Sequence, residues 1–339
     1  MMTPSQIPVA AAAFGHRHGR EAITPGDGLS SAHRTGPAMH PDVAHGSRDL
    51  RPTSRWHTTP GICGRNIIIG IGIDCYQHYP VLANAVRDAM TASRLFQRMG
   101  FEQATAPLLD DRATAQAIQE LVTDDLTTLT GPDDSLVLFY AGHGTTRRHR
   151  LGDRVITTGY LVPVDAQDKV ATWIELEGWL RAISRLPPRH ILVILDACHS
   201  GIALDPVIQW RDRGSSQDRT LATLAARRSR RVITSALADE VACDSGPAPG
   251  HSLFTGCLIE ALTHGVRAGG GGLVSGSELA LYVQRRVASY PDARQTPDFG
   301  AFAFDDRGEM AIPIRAASLP HRTALGWRAP SARRATPAP

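Results

Sequence analysis

The chain has 339 residues, 42% of them apolar, enough for one large domain or two small ones around a sizeable core. Its formal net charge of +3 calls for neither a nucleic-acid nor a membrane partner, and no run approaches the roughly 18 apolar residues that span a bilayer. Five cysteines, Cys63, Cys75, Cys198, Cys243 and Cys257, contain no CxxC pair and fit a reducing compartment better than a disulfide framework or a zinc ribbon.

Residues 1–60 are rich in Pro, Gly, Ser, His and Arg without any helical or alternating period, which predicts a disordered leader. Its histidines, among them His16, His18, His33, His40 and His45, read as part of a solvated low-complexity tail rather than as metal ligands. The opening alanine patch is short and lacks a basic lead, so no secretory signal is expected, and the expectation is a soluble cytoplasmic protein.

Order begins at Asn66 with the strand NIIIGIGI. Gly70 and Gly72 hint at dinucleotide binding, but the third position of a GxGxxG pattern falls on Cys75. A helix is predicted after Pro80, with Val81, Leu82, Ala85, Val86, Ala89, Leu95, Phe96 and Met99 at helical spacing and Gly100 as its stop; it contains Asp88 in the string NAVRDA. A second helix follows Asp111, with Ala117, Ile118, Leu121 and Val122 apolar. Leu136 to Tyr140 is a short apolar strand that ends in Gly142, His143 and Gly144. The arginine-rich stretch from Arg147 to Arg154 reads as a hairpin loop leading to Val155–Val164, where Pro163 argues against a central strand.

Trp173 to Leu186 reads as an amphipathic helix that feeds, through Pro187 and Pro188, the second apolar strand. Ile191 to Leu195 is five aliphatic residues without alternation, the pattern of a strand buried on both faces, and it stops at Asp196, Ala197, Cys198, His199, Ser200 and Gly201. Asp205 to Arg228 is polar and reads as a long surface loop. A strand at Arg231–Ala236, a helix at Ser252–His264, a glycine run at Gly269–Gly272, a helix at Ser275–Ser289 and closing strands within Phe302–Ile314 complete the order, before a disordered tail from Ala316. Alternating strands and helices predict an α/β fold with a mostly parallel sheet covered on both faces. Parallel strands would bring the exits at His143 and Cys198 to one sheet edge, where open α/β folds place their ligand sites, so that a thiol faces an imidazole.

The DACHSG string at Asp196–Gly201, with GHG upstream, resembles the caspase and metacaspase group of cysteine endopeptidases. Caspase signatures place the His about 50 residues before the Cys, and here His143 precedes Cys198 by 55. Asp196 stands where animal caspases have Gln, which is similar to the metacaspase version of the motif. The resemblance covers roughly Asn66 to Ile314 and implies the caspase-hemoglobinase fold, with a six-stranded, mostly parallel sheet. The implied peptidase domain runs over 61–315, as a large portion 61–205, a loop 206–229 and a small portion 230–315, with the leader 1–60 and the tail 316–339 outside it.

The resemblance also implies a cysteine endopeptidase working on protein or peptide substrates through a thioester acyl-enzyme. Cys198 is then the nucleophile, His143 its base, and the backbone N–H groups of Gly144 and Cys198 the oxyanion hole. No third member of a triad is apparent. His199 is expected to point away from the site by alternation, and a zinc site of Cys198, His143 and His199 lacks a fourth ligand at recognisable spacing.

Asp196 alternates with Cys198 and would project a carboxylate beside it. Asp88 matches the family position of a second pocket acid. Two such acids imply cleavage after Arg or Lys, while the alternatives are an exposed helix carboxylate for Asp88 and a hydrogen-bonded loop anchor for Asp196. The aspartate-binding arginine of animal caspases has no counterpart around Val81–Asn84. Metacaspases often require calcium: Asp165 and Asp205 stand where two of its acids would be, but the acidic pair expected near Glu175 is missing, and the glycine run lacks the carboxylates of an EF-hand loop. The loop from Arg211 to Arg228 offers bonds for self-cleavage. The competing readings are an Asp-specific caspase-like peptidase and a catalytically silent caspase-fold interaction module.

Overall fold

A computed structural model describes residues 64–198, 200–203, 217–237, 240, 242–266, 272–291 and 293–314. In chain order its elements are β1 (Asn66–Gly72), α1 (Ala85–Arg98), β2 (Leu108–Leu109), α2 (Ala115–Glu120), a wider helical turn over Leu121–Asp125, α3 (Leu126–Leu129), β3 (Ser135–Ala141), β4 (Gly144–Leu151), β5 (Arg154–Leu161) and β6 (Ile174–Glu175). They continue with α4 (Leu176–Ser184), β7 (His190–Asp196), α5 (Gln217–Ala225), β8 (Ser229–Thr234), α6 (Leu253–Glu260), β9 (Leu273–Ser275), α7 (Gly276–Ala288), β10 (Asp298–Ala301) and β11 (Ala311–Pro313).

The main sheet has six strands in the order β2-β1-β3-β7-β8-β10. All neighbours are parallel except β10, which runs antiparallel to β8 at the edge. Alternation along the strands divides the core into two layers. Ile67, Ile69, Ile71, Leu136, Leu138, Ile191, Val193 and Leu195 face one side and pack with Ile118, Leu121, Trp179, Leu180 and Ile183 from α2 to α4. Ile68, Val137, Phe139, Leu192, Ile194 and Ile233 face the other side and pack with Phe96, Phe254, Leu258, Leu279 and Val283 from α1, α6 and α7. Helices on both faces leave β1, β3 and β7 no solvent side, which is why their sequences read as continuous apolar runs.

The two glycines of β1 have a packing role. A Cβ on Gly72 would lie 2.8 Å from the Ala85 carbonyl oxygen and 2.9 Å from the Ala89 Cβ, and one on Gly70 would lie 2.6 Å from Ser93 Oγ. They let α1, with its small residues Ala85, Ala89 and Ala92, lie directly on the strand. The Asp74 carboxylate, just past β1, accepts the Ala85 N–H at 2.7 Å and fixes the start of the helix. The helix therefore begins at Ala85, with Val81 and Leu82 in the connection before it.

Several boundaries differ from the sequence reading. Arg147–Arg154, expected to be a loop, forms most of β4 and the turn into β5, a ribbon whose exposed sides carry no apolar alternation to announce a strand. The Asp205–Arg228 stretch contains α5, and β8 starts at Ser229, two residues before the expected strand. Trp173 and Ile174 lie ahead of α4, Ser252 and Ser275 are side-chain caps of α6 and α7, and the closing strands begin at Asp298. His199, Asp205, Arg211, the leader, the glycine run up to Gly271 and the tail lie outside the described residues.

Arg230 on β8 is 1% exposed and spans the junction between β8 and the α4–β7 connection. It donates to the carbonyls of Ser184, Leu186, Arg189 and Ser229 at 2.9–3.1 Å. Burial lowers its pKa to about 10, which leaves it a cation at neutral pH.

Gly72→Ala is expected to cost about 1–3 kcal/mol, because Ala85 and Ala89 belong to a packed helix that has to move to admit the methyl group. Urea unfolding of the two proteins measures it, and equal midpoints would show that α1 yields freely.

Candidate active site

The register of β3 against β7 sets the site. Ala141 pairs with Asp196 at the end of the ladder, and the Gly142 N–H extends it by one bond to the Asp196 carbonyl at 3.2 Å. His143 and Cys198 each stand two residues beyond that pair, where the chain has left the two strands at the same edge of the sheet. Both line one cleft, together with Leu82, Asn84, Asp88, Asp196, Ala242 and Asp244.

His143 is gripped at both main-chain groups. Its N–H donates to Tyr76 Oη at 2.7 Å, and its carbonyl accepts from Tyr140 Oη at 3.2 Å. A side chain on Gly142 would collide with both phenols, so the approach to His143 needs glycine. The Tyr76 ring lies 4.7 Å from the imidazole, centroid to centroid, and His143 Nε2 is 2.8 Å from the Pro80 carbonyl oxygen. A carbonyl only accepts, so Nε2 carries the hydrogen and Nδ1 is left as the basic nitrogen. Pro80 thus orients the imidazole through a backbone atom, a contact that no search by residue type could find.

Cys198 is half-buried, and its Sγ accepts the Ala242 N–H at 3.3 Å. Burial pushes the thiol pKa up, the Ala242 N–H opposes this, and the charges of Asp196 and Asp244 add to the rise. Gly144 opens β4 directly against the Cys198 main chain: a Cβ there would overlap the Cys198 carbonyl oxygen. The Gly144–Leu161 pair is flanked by the Val162 N–H bond to the His143 carbonyl, the non-hydrogen-bonded kind of antiparallel pair, so the Gly144 N–H points away from β5.

Asp196 and Asp88 are both buried, 6% and 1% exposed. Asp196 Oδ2 accepts from Ser252 Oγ at 2.5 Å and Thr255 Oγ at 2.7 Å. Asp88 Oδ1 is 2.5 Å from His251 Nδ1, and Oδ2 accepts the Ser252 N–H at 3.3 Å. The start of α6 therefore ties the two acids together. Burial, then the charge of Asp196, raises the Asp88 pKa to about 8, while burial and the charge of Arg87 lower that of His251. Both shifts favour the uncharged form of the group in this contact. Among the described residues lining the cleft, three are acids and none is Arg or Lys. His251, Ser252, Thr255 and Asp244 escaped the sequence reading; polar residues just ahead of the apolar run of α6 were the available signal.

Asp165, one of the two calcium candidates, accepts the Ala115 N–H through Oδ1 at 2.9 Å, at the start of α2. Among the described residues no three His, Cys, Asp or Glu side chains come together in a group that could hold a metal ion.

The raised Asp88 pKa fixes a pH dependence. Between pH 3.8 and about 8 the folded state holds a proton at Asp88 that the unfolded chain has released, so this group makes stability fall as pH rises through that window. Asp88→Asn is expected to flatten the decline and to be the more stable protein at pH 8, by on the order of a few kcal/mol. Urea unfolding at pH 5 and pH 8 measures this, and parallel pH dependence in the two proteins would show that Asp88 ionises normally.

A caspase domain family model matches residues 65–305. Metacaspase-1 of Schizosaccharomyces pombe is 29% identical over 167 residues, 44% of this chain and 37% of that protein. Metacaspase-1 of Meyerozyma guilliermondii is 26% identical over 189 residues, 51% of this chain and 44% of that protein. The matches thus span less than half the length of these curated relatives. Among solved structures, protein GSU0716 from Geobacter sulfurreducens aligns over 69% of this chain and 92% of its own with a TM-score of 0.48 and 19% identity. Caspase-1 from Spodoptera frugiperda aligns over 75% and 93% with a TM-score of 0.44 and 14% identity. With a domain match across well over half of its length, the chain belongs to the caspase domain family.

Proposed function

We propose that the chain is a cysteine endopeptidase that cleaves after Arg or Lys, with Cys198 as nucleophile and His143 as general base. The observation that carries the specificity is the set of three acids, Asp88, Asp196 and Asp244, lining the cleft that holds the thiol. A guanidinium entering there meets two buried acids, Asp88 and Asp196, whose charge is otherwise costly, and the exposed Asp244 at the rim, and it pairs with a carboxylate bidentately.

His143 Nδ1 takes the proton from Cys198 Sγ, and the thiolate attacks the scissile carbonyl carbon. The resulting oxyanion is held by the N–H groups of Gly144 and Cys198. Collapse breaks the C–N bond, His143 returns the proton to the leaving amine, and water hydrolyses the thioester. Substrate charge assists the first step: a cation among the acids offsets the Asp196 and Asp244 charges that hold the Cys198 thiol up, so the thiol ionises more readily once the pocket is filled.

Fluorogenic peptides ending in Arg, Lys or Asp test the reading. Cleavage is expected after Arg and Lys, to fall to background in Cys198→Ala, and to lose about tenfold or more in kcat/KM on Arg in Asp196→Asn. Preferred cleavage after Asp would overturn the pocket assignment, and full activity in Cys198→Ala would overturn the nucleophile.

Self-cleavage within Arg211–Arg228 belongs to the same reading. Arg219 lies within α5, whose hydrogen bonds would have to open before that bond could enter a cleft. The intact mass of the wild type is expected to show fragments cut after arginines of this stretch that Cys198→Ala lacks; identical masses would count against self-processing.

A further inference from the structure

The ribbon of β4 and β5 stands apart from the rest of the surface. Arg147 to Ile156 carries four arginines against one acid, Asp153, and all ten residues are exposed. The strands are joined by the two-residue turn Gly152–Asp153, where Gly152 takes the positive φ of 60° that such tight turns require. β4 is the edge of its sheet, and β6 pairs with β5 only at Tyr160 and Leu161, so the outer part of the ribbon has no neighbouring strand among the described residues.

The ladder register identifies the open backbone groups. Because Gly144–Leu161 is a non-hydrogen-bonded pair, the alternate residues Gly144, Thr146, Arg148 and Arg150 direct their N–H and C=O groups away from β5. This free edge begins at Gly144, in contact with the Cys198 main chain, and runs outward from the cleft. The side chains divide between the two faces. Arg147 is held on one of them, 3.3 Å from Asp168 and with its guanidinium 4.8 Å from the centre of the Trp173 ring. Arg148 and Arg150 alternate to the opposite face, where the register sets Val155, 58% exposed, opposite Arg150. Neither arginine enters an ion pair among the described residues.

The geometry points to the outer edge of β4 as a docking strand for an extended, acidic segment of the protein substrate, next to the bond that is cut. This rests on the endopeptidase reading above and adds a second selection to it: a basic residue in the cleft and carboxylates along the ribbon. Main-chain bonds to Thr146, Arg148 and Arg150 would add the segment as a further strand, and Arg148 and Arg150 would choose its charge. The continuity of this edge with Gly144 favours a substrate over a separate partner, and the arginines favour carboxylates.

Quenched fluorescent peptides with one Arg, flanked on either side by an acidic or a neutral tract, test the proposal. The acidic tract is expected to raise kcat/KM about fivefold at low salt, and high salt is expected to remove the gain. Arg148→Glu/Arg150→Glu is expected to lose that gain while cleaving the neutral peptide as the wild type does. Equal rates on the two peptides, or a gain that survives in the double variant, would overturn it. If no peptide is cleaved, the endopeptidase reading fails, and docking is read separately by fluorescence anisotropy of a labelled acidic peptide on the Cys198→Ala protein. Binding that the two Glu substitutions abolish upholds the docking edge. No binding of that peptide, or binding only of duplex DNA or anionic vesicles, rejects the occupant named here.

Discussion

The parallel pairing of β3 with β7 is the constraint on which the rest of the molecule depends. Because Ala141 meets Asp196 at the end of that ladder, the chain leaves both strands at one sheet edge, and the imidazole of His143 and the thiol of Cys198 come to line one cleft there. A slip of one residue would turn every side chain of β7 to the opposite layer, which two closed cores forbid. The register of the chemistry is therefore held by Leu138, Phe139, Val193 and Ile194, residues that never meet a substrate.

The same edge gathers acidic side chains around the cleft. Asp196 closes β7, Asp88 projects from α1, and the first turn of α6 holds both through Ser252. The close approach of α1 to β1, permitted by Gly70 and Gly72, brings Asp88 deep enough to meet the α6 segment. Under the proposed specificity for Arg or Lys, an acid whose neutral form is favoured by burial would ionise beside a bound guanidinium, and the pocket would respond to its occupant.

Much of this was legible in the sequence because the central strands are buried on both faces. Their unbroken apolar runs marked both β3 and β7, and the abrupt change to Gly-His-Gly and Asp-Ala-Cys marked their exits. What could not be read were the groups whose role depends on backbone atoms or on distant contacts. Pro80 supports the histidine through its carbonyl, and Ala242 touches the sulfur through its N–H, so neither side chain advertises its part. His251 and Ser252 lie more than 160 positions from Asp88 and became its neighbours only through packing of α6 against α1. The β4–β5 ribbon was missed for another reason: its exposed part has no buried face, so the alternation that betrays most strands is absent.

Arg230 carries a consequence for any scission of the chain between α4 and α5. Its guanidinium sits on the C-terminal side of residues 204–216 and grips carbonyls of Ser184, Leu186 and Arg189 on the N-terminal side, next to the β7–β8 ladder. The two pieces left by a cut in that interval would remain stapled by a desolvated cation and a row of main-chain bonds. Such a break would leave the halves associated.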